Sequence, residues 1–362
     1  MRIGKRTIGD GVYIIAEIGV NHDGDAERAL ALASAAAEAG ADAIKLQYFR
    51  ASDLLSHDAS LASYQRDAGE TDPISMLQRL ELSLDEMRRI IEHAHGLEID
   101  AIVTPFSCEH VDALAALPWD AMKAASPDVI NRPLLDAIAR TGLPMIVSTG
   151  AADADEVRRA SEWLAACHDR LAILHCVSSY PTPPVDASIA ACRAVAELTS
   201  CPTGYSDHTA GVEAGGIATS EAGAALLEKH LTDDCSRAGP DHGASLEPGD
   251  LAEYVRRARA GSVDGVDNAT LARMLGDGQK RALDVELDVR RLSRQSVVAA
   301  RAIEPGQAIQ LADLTIRRPG MGIEPWRIDE FVGRRAAASI AAGGCVMDEH
   351  FVAADASLGG AA

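Results

Sequence analysis

Gly204-Tyr205-Ser206-Asp207-His208-Thr209 and, further on, Glu228-Lys229-His230 each place an imidazole just past a short apolar run. Imidazole is the commonest protein metal ligand. Two such rings at the ends of neighbouring parallel strands could grip one divalent ion. Taken alone, the pair favours a plainer reading, with two unrelated histidines, one in a loop and one at a strand end. A short motif is only a hypothesis until its context is known.

The context is a repeated pattern in which polar residues close apolar runs. Glu17 ends Tyr13-Ile14-Ile15-Ala16, and Lys45 and Gln47 lie in and after Ala43-Ile44. Thr104 ends Ala101-Ile102-Val103, Lys123 and Ser126 follow Ala121-Met122, and Ser148 ends Met145-Ile146-Val147. Tyr180 follows Ala172-Ile173-Leu174-His175-Cys176. Cys201-Pro202-Thr203 and Ala224-Ala225-Leu226-Leu227 precede the two histidine motifs. Continuous apolar runs of this kind are expected of parallel strands covered on both faces.

Helical stretches fill the intervals, at about 131–141, 153–167, 186–198, 211–222 and 249–260 by their apolar periodicity. Asp25 reads as an N-cap, and Ser83-Leu84-Asp85-Glu86 as a capping box. The long polar excursion from about 48 to 82 suggests a functional lid, being too long for a simple connection. His93 and His95, two apart on a helix, do not share a face and are no metal pair. Eight strand–helix units in this length predict an α/β fold, a (β/α)8 TIM barrel, whose active site sits at the C-terminal ends of the strands. An open doubly wound sheet is the alternative architecture. Neither the dinucleotide nor the P-loop glycine motif is present to favour it.

The polar residues at the strand ends would then share one pocket. Two lysines with Thr104, Ser126 and Ser148 suit a phosphate plus a carboxylate. Glu17 could act as a general base or position a water. A Schiff base on Lys45 or Lys123 is a further option.

The barrel is expected over 1–261, with a linker at 262–292 and a small β-rich module over 293–352, where short runs are broken by Pro and Gly. Residues 353–362 read as a flexible tail. Basic residues number 34 against 54 acidic ones, a net charge of −20. That argues against nucleic acid and anionic membrane surfaces, which require a basic footprint. The seven cysteines are scattered and form no C-x-x-C pair, which suits reduced cytosolic thiols. With no signal-peptide h-region and no long apolar run, a cytoplasmic location is expected.

Nearly the whole chain resembles the sialic acid synthases, the N-acetylneuraminate synthases and their legionaminate-type relatives. The resemblance lies in Ile15-Ala16-Glu17-Ile18-Gly19-Val20-Asn21-His22, Gly40-Ala41-Asp42-Ala43-Ile44-Lys45-Leu46-Gln47, Thr104-Pro105-Phe106, His175-Cys176-Val177-Ser178-Ser179-Tyr180-Pro181, the two histidine motifs, and Gly239-Pro240-Asp241-His242. The last module resembles the family's antifreeze-like (SAF) domain, with Arg317-Arg318-Pro319-Gly320 as its signature.

This resemblance implies that C3 of phosphoenolpyruvate adds to the aldehyde of an open-chain N-acylmannosamine-type sugar. Water would attack C2, and phosphate would leave by C–O cleavage. It implies that His208 and His230 hold a divalent metal, Mn²⁺ by preference over Mg²⁺ or Co²⁺. Lys45, Thr104, Lys123, Ser126, Ser148, Ser178 and Ser206 would bind phosphoenolpyruvate. Glu17 would handle a proton, and Gln47, Tyr180 and Asp241 would contact the sugar. Arg318 would reach the active site of the partner chain in a domain-swapped homodimer. The loop Ala125-Ser126-Pro127-Asp128 departs from the family pattern, because Pro127 lacks an amide that could bind phosphate. Ser178 stands where some members have Asn. Gly239-Pro240-Asp241-His242 looks more like the neuraminate/legionaminate branch than the pseudaminate one. A sugar phosphate as substrate, and a Schiff-base aldolase on the same barrel, remain alternatives.

Overall fold

A computed structural model describes residues 1–351, so the tail expected at 353–362 lies outside the described residues. Eight parallel strands close into a barrel. They are β1 (Tyr13–Glu17), β2 (Ala43–Tyr48), β3 (Asp100–Pro105), β4 (Ala121–Ala124), β5 (Met145–Ser148), β6 (Leu171–Cys176), β7 (Thr203–Asp207) and β8 (Leu226–His230). β8 pairs with β1 in the register His230↔Glu17.

The last two strands start later than expected and run through the polar residues. Side chains alternate in and out along a strand, so Leu226, Glu228 and His230 share the inward face. At the barrel's C-terminal end that face takes polar groups. The outward Lys229 is fully buried and paired with Asp207 at 3.0 Å. Gly204 permits the close approach of β7 to β8, since a Cβ there would lie 2.1 Å from the Leu226 carbonyl oxygen.

The barrel interior is layered. Its lower part is an apolar plug of Tyr13, Ile15, Ala43, Ile102, Ile146, Leu174 and Leu226, closed beneath by Ile3 and Ile8 of an N-terminal hairpin. Above it, the same inward parity carries Glu17, Lys45, Thr104, Lys123, Cys176, Ser206, Glu228 and His230. Helices cover the outside. Asp25 caps Ala26–Glu38 by accepting from the amides of Glu27 and Arg28, and Ser83 with Glu86 forms the capping box of Leu84–Gly96. His93 and His95 are engaged structurally, with Ser34 and Asp120.

The excursion after β2 folds as three short helices, Ala51–Leu54, Ser63–Asp67 and Pro73–Arg79. Polar by composition, it nevertheless gathers Phe49, Leu54, Leu61, Met76, Leu77 and Leu80 into one apolar cluster with Val20 and Phe106. Residues 262–292 do not span free space. They carry the helix Asn268–Leu275 and the start of Leu287–Ser293, and bury Lys280 and Glu286. The C-terminal module pairs β9 (Ser296–Ala299) with β10 (Leu314–Arg317) antiparallel over its own core, which includes Val297, Ile303, Phe331 and Val346.

Candidate active site

The strand ends, the excursion and the C-terminal module enclose one cavity of about 910 Å³, including its open mouth. Glu17, Lys45, Gln47, Thr104, Lys123 and Ser126 line it, as do Ser178, Tyr180, Ser206, His208, His230, Asp241 and Arg318. Ser148 does not. It is buried on the inward face of β5, with its Oγ unpartnered, but lies outside the lining.

At the base of the cavity, acids and lysines alternate. Lys45 contacts the Glu17 carboxylate, and its Nζ lies 3.8 Å from Glu228 Oε2 and 3.3 Å from Thr104 Oγ1. Lys123 Nζ lies 3.1 Å from Glu228 Oε1, which also accepts from the Ser206 hydroxyl at 3.0 Å. Burial pulls the Lys45 ammonium down to about 7. Burial opposes ionisation of Glu228 as well, but Lys123 and Lys45 outweigh it and hold that carboxyl below its ordinary range.

Glu228 was not anticipated as a site residue. The signal was present, because it stands two residues before His230 on one strand. Cys176 was overlooked in the same way, two residues past Leu174. Its Sγ lies 3.7 Å from His208 Nδ1.

Around Gly150 three side chains pack so closely that only a glycine fits. A Cβ on Gly150 would lie 2.1 Å from Ser178 Oγ, 2.9 Å from Ser126 Oγ and 3.0 Å from Cys176 Sγ. The Gly150 amide donates to Ser126 Oγ at 2.9 Å. Converging hydroxyls, a glycine and two ammonium groups form a site suited to a compact oxyanion. Pro127 lines the cavity without breaking the loop; it opens the short 3₁₀ turn Ser126–Ile130.

The two histidine rings are neighbours, with centroids 5.3 Å apart and planes tilted at 55°. Tyr180 lies tilted against His208 at 4.1 Å and stacks on Tyr64 of the excursion at 5.0 Å. His208 Nδ1 lies 2.8 Å from the Val177 carbonyl, so that nitrogen donates and Nε2 faces away from it. Burial opposes the charged His208 ring, but Cys176 and Val177 outweigh it, so metal binding there would displace a proton. Burial and His208 keep His230 neutral, and His230 Nδ1 is buried without a hydrogen-bond partner, 3.7 Å from Asp241. Burial also raises Asp241 to about 6. Two imidazoles with nitrogens to spare fit a divalent ion whose remaining positions are open to water and substrate. Among the described residues, no three His, Cys, Asp or Glu converge as a complete ligand set.

The resemblance implies that Arg318 reaches a partner's site; within the single chain it lines that chain's own cavity. Its amide donates to the Leu54 carbonyl at 2.8 Å, its carbonyl accepts from Ser56 at 2.9 Å, and its guanidinium lies 5.3 Å from the Phe106 ring centroid. The physical reason is the linker, which is fastened along its own barrel. Glu156 receives paired hydrogen bonds from Arg290 and Arg294 at 2.6–2.8 Å, and Gln295 donates to Asp128 at 2.9 Å.

Comparison with known proteins gives the lineage. Residues 32–264 match the NeuB family model, and residues 294–352 match the SAF domain. The chain belongs to the NeuB family. It is 37% identical to an N,N'-diacetyllegionaminic acid synthase of Legionella pneumophila, over 94% of this chain and 95% of that one. It is 36% identical to the enzyme of that name from Campylobacter jejuni, over 89% and 95%. The crystal structure of the spore coat polysaccharide biosynthesis protein SpsE from Bacillus subtilis superposes with a TM-score of 0.83 at 29% identity, covering 98% of this chain and 99% of that one. The likeness thus spans both modules. This NeuB-family chain is an enzyme of the synthase class, and no described helix is long and apolar enough to cross a membrane.

Proposed function

We propose that the chain condenses phosphoenolpyruvate with an open-chain N-acylated amino-hexose to give a nonulosonic acid and phosphate. The observation that carries this reading is the convergence, in one cavity, of an oxyanion pocket, an acid–lysine series and a histidine pair. Lys123, Lys45 and the hydroxyls around Gly150 bind the phosphate. Arg318 and Gln47 approach the same cavity from its rim.

C3 of phosphoenolpyruvate attacks the aldehyde carbon, and the aldehyde oxygen takes a proton. Lys45, held near 7 by burial, is suited to supply it. Water then adds at C2 and gives one proton to Glu17; as the C2–O bond to phosphate breaks, the new C2 hydroxyl gives its remaining proton to the departing phosphate, which keeps the bridging oxygen, and C2 becomes the ketone. A divalent ion held by His208 and His230, when bound, supplies Lewis-acid polarisation of the aldehyde.

The sugar is best read as a 2,4-diacetamido-trideoxy hexose. Phe49, Leu54, Met76, Leu77 and Leu80 present apolar surface to the cavity, which accommodates N-acetyl methyls and a deoxy carbon. A sugar phosphate would bring two further negative charges against that wall. The diacetyllegionaminic relatives support the same choice. The test is a panel of N-acetylmannosamine, its 6-phosphate and the diacetamido sugar, assayed for phosphate release with phosphoenolpyruvate labelled with ¹⁸O at the bridging position. Label in the phosphate from the diacetamido reaction is expected. Unlabelled phosphate, or no turnover with any sugar, refutes the reading.

The lowered Lys45 favours one second reading, a Schiff-base aldolase, since an unprotonated amine is a nucleophile. Borohydride trapping of a carbonyl substrate on Lys45 would establish it.

A further inference from the structure

One buried carboxylate outside the cavity holds both of the loops that shape its oxyanion pocket. Glu286 belongs to the segment between the two modules, and its side chain is fully buried. Its Oε1 accepts from the Ala151 amide at 2.6 Å and from the Ser178 amide at 2.7 Å, and its Oε2 accepts from the Leu283 amide at 2.8 Å. Ala151 follows Gly150 in the loop after β5, and Ser178 lies in the loop after β6. These are the loops whose Gly150 and Ser178 pack together beside Ser126, and Ser126 and Ser178 both line the cavity.

Ala151 is held from its other side as well. Its carbonyl accepts from Arg294 at 3.1 Å and also from Arg290. It adopts a φ of +53°, in the left-handed region that a residue with a Cβ enters only when its surroundings impose it. Glu286 on the N–H and the two arginines on the carbonyl are those surroundings. Because the Ser178 amide is spent on Glu286, Ser178 can offer only its hydroxyl to a ligand. Glu286 therefore sets the spacing of the pocket from outside the cavity lining.

We propose that Glu286 is a positioning residue for phosphoenolpyruvate, coupling the docking of the C-terminal module to the shape of the phosphate pocket. The inference rests on the reading of that pocket given above. Its test is kinetic, on the full chain. Glu286→Ala is expected to raise KM for phosphoenolpyruvate by roughly 10²-fold, the scale of a displacement of about an ångström in a binding group, and to leave KM for the sugar within about twofold. Glu286→Gln keeps one carbonyl oxygen for the two amides and is expected to stay within about fivefold of the parent. A loss shared equally by both substrates, or an unchanged KM for phosphoenolpyruvate, overturns the proposal.

If Glu286→Ala does not fold, Arg290→Ala takes its place, with a smaller rise expected in the same constant and none in the other; no rise overturns the proposal. Hydrogen exchange separates this idea from the functional reading. Slow exchange of the Ala151 and Ser178 amides in the parent, retained in Glu286→Gln and accelerated in Glu286→Ala, is expected whether or not the chain turns over phosphoenolpyruvate. Fast exchange of both in the parent overturns the pinning itself.

Discussion

The floor and the roof of the cavity are built by different means. The floor comes from strand ends, where backbone pairing fixes each side chain to within the register of a ladder. It holds Glu17, Lys45, Lys123 and Glu228 at 1–4% exposure. Four ionisable groups so deeply buried are tolerated only because each lies beside an opposite charge. The roof comes from short helices, a linker and one arginine, and its inner surface is mainly apolar. Rigid elements hold the chemistry, and replaceable ones meet the part of the substrate that varies. The same division explains why the fold supports many reactions through changes in loops alone.

The sharpest way to break this contrast is to cut into the floor. Lys123→Ala removes a proposed phosphate ligand and strands Glu228 without its nearest cation, and kcat/KM measured by phosphate release is expected to fall by roughly 10³-fold or more. Chelation of divalent metal should lower turnover by about 10²-fold or more, with recovery on adding Mn²⁺. Full activity after exhaustive chelation would remove the histidine pair from the chemistry. Arg318→Ala, in the roof, is expected to cost about 10²-fold. Arg318 lines the cavity of its own chain; on that arrangement, mixing this variant with His208→Ala should restore nothing, whereas recovery on mixing would place the arginine in a partner's site. Leu77→Ala should raise KM for the sugar by about 10-fold while leaving that for phosphoenolpyruvate unchanged.

The smallest effect concerns stability. Burial raises Asp128 to about 6 from an unfolded value near 3.9. Its folded form therefore retains a proton that the unfolded chain has lost. Stability falls as pH rises from about 4 to about 6, by roughly 3 kcal/mol from this group. Asp128→Asn should abolish that slope while keeping the hydrogen bonds from Gln295 and Asn131, as denaturant titrations at pH 4.5 and 7 would show.

The floor was largely legible in the sequence, and the roof was not. Lys45 and Lys123 stood out because a charge within an apolar run has few structural uses. His208 and His230 were found as strand-end residues, and period-two alternation from His230 reaches Glu228, which composition alone did not single out. Ser148 shows the limit of that rule, since inward parity does not say how deep in the barrel a residue sits. Arg318 was recognised through a resemblance, but where it would reach depends on the path of the linker. That path is set by Glu156 and Glu286, which in sequence read only as charges. Their partners are more than a hundred residues away or on backbone amides, where no local periodicity betrays them. The excursion at 48–82 read as a lid by its length, but its apolar inner surface was hidden for a related reason, because those residues converge only after three short helices fold back on one another.

The backbone bridge between Leu55 and Arg318 has a consequence for timing. Two main-chain hydrogen bonds join the roof's halves above the cavity, so parting those halves requires that both break. If the proposed product leaves by that path, its exit paces the reaction, and added viscosogen should slow the steady state while leaving the first turnover untouched; an unchanged steady state would remove the bridge from the exit.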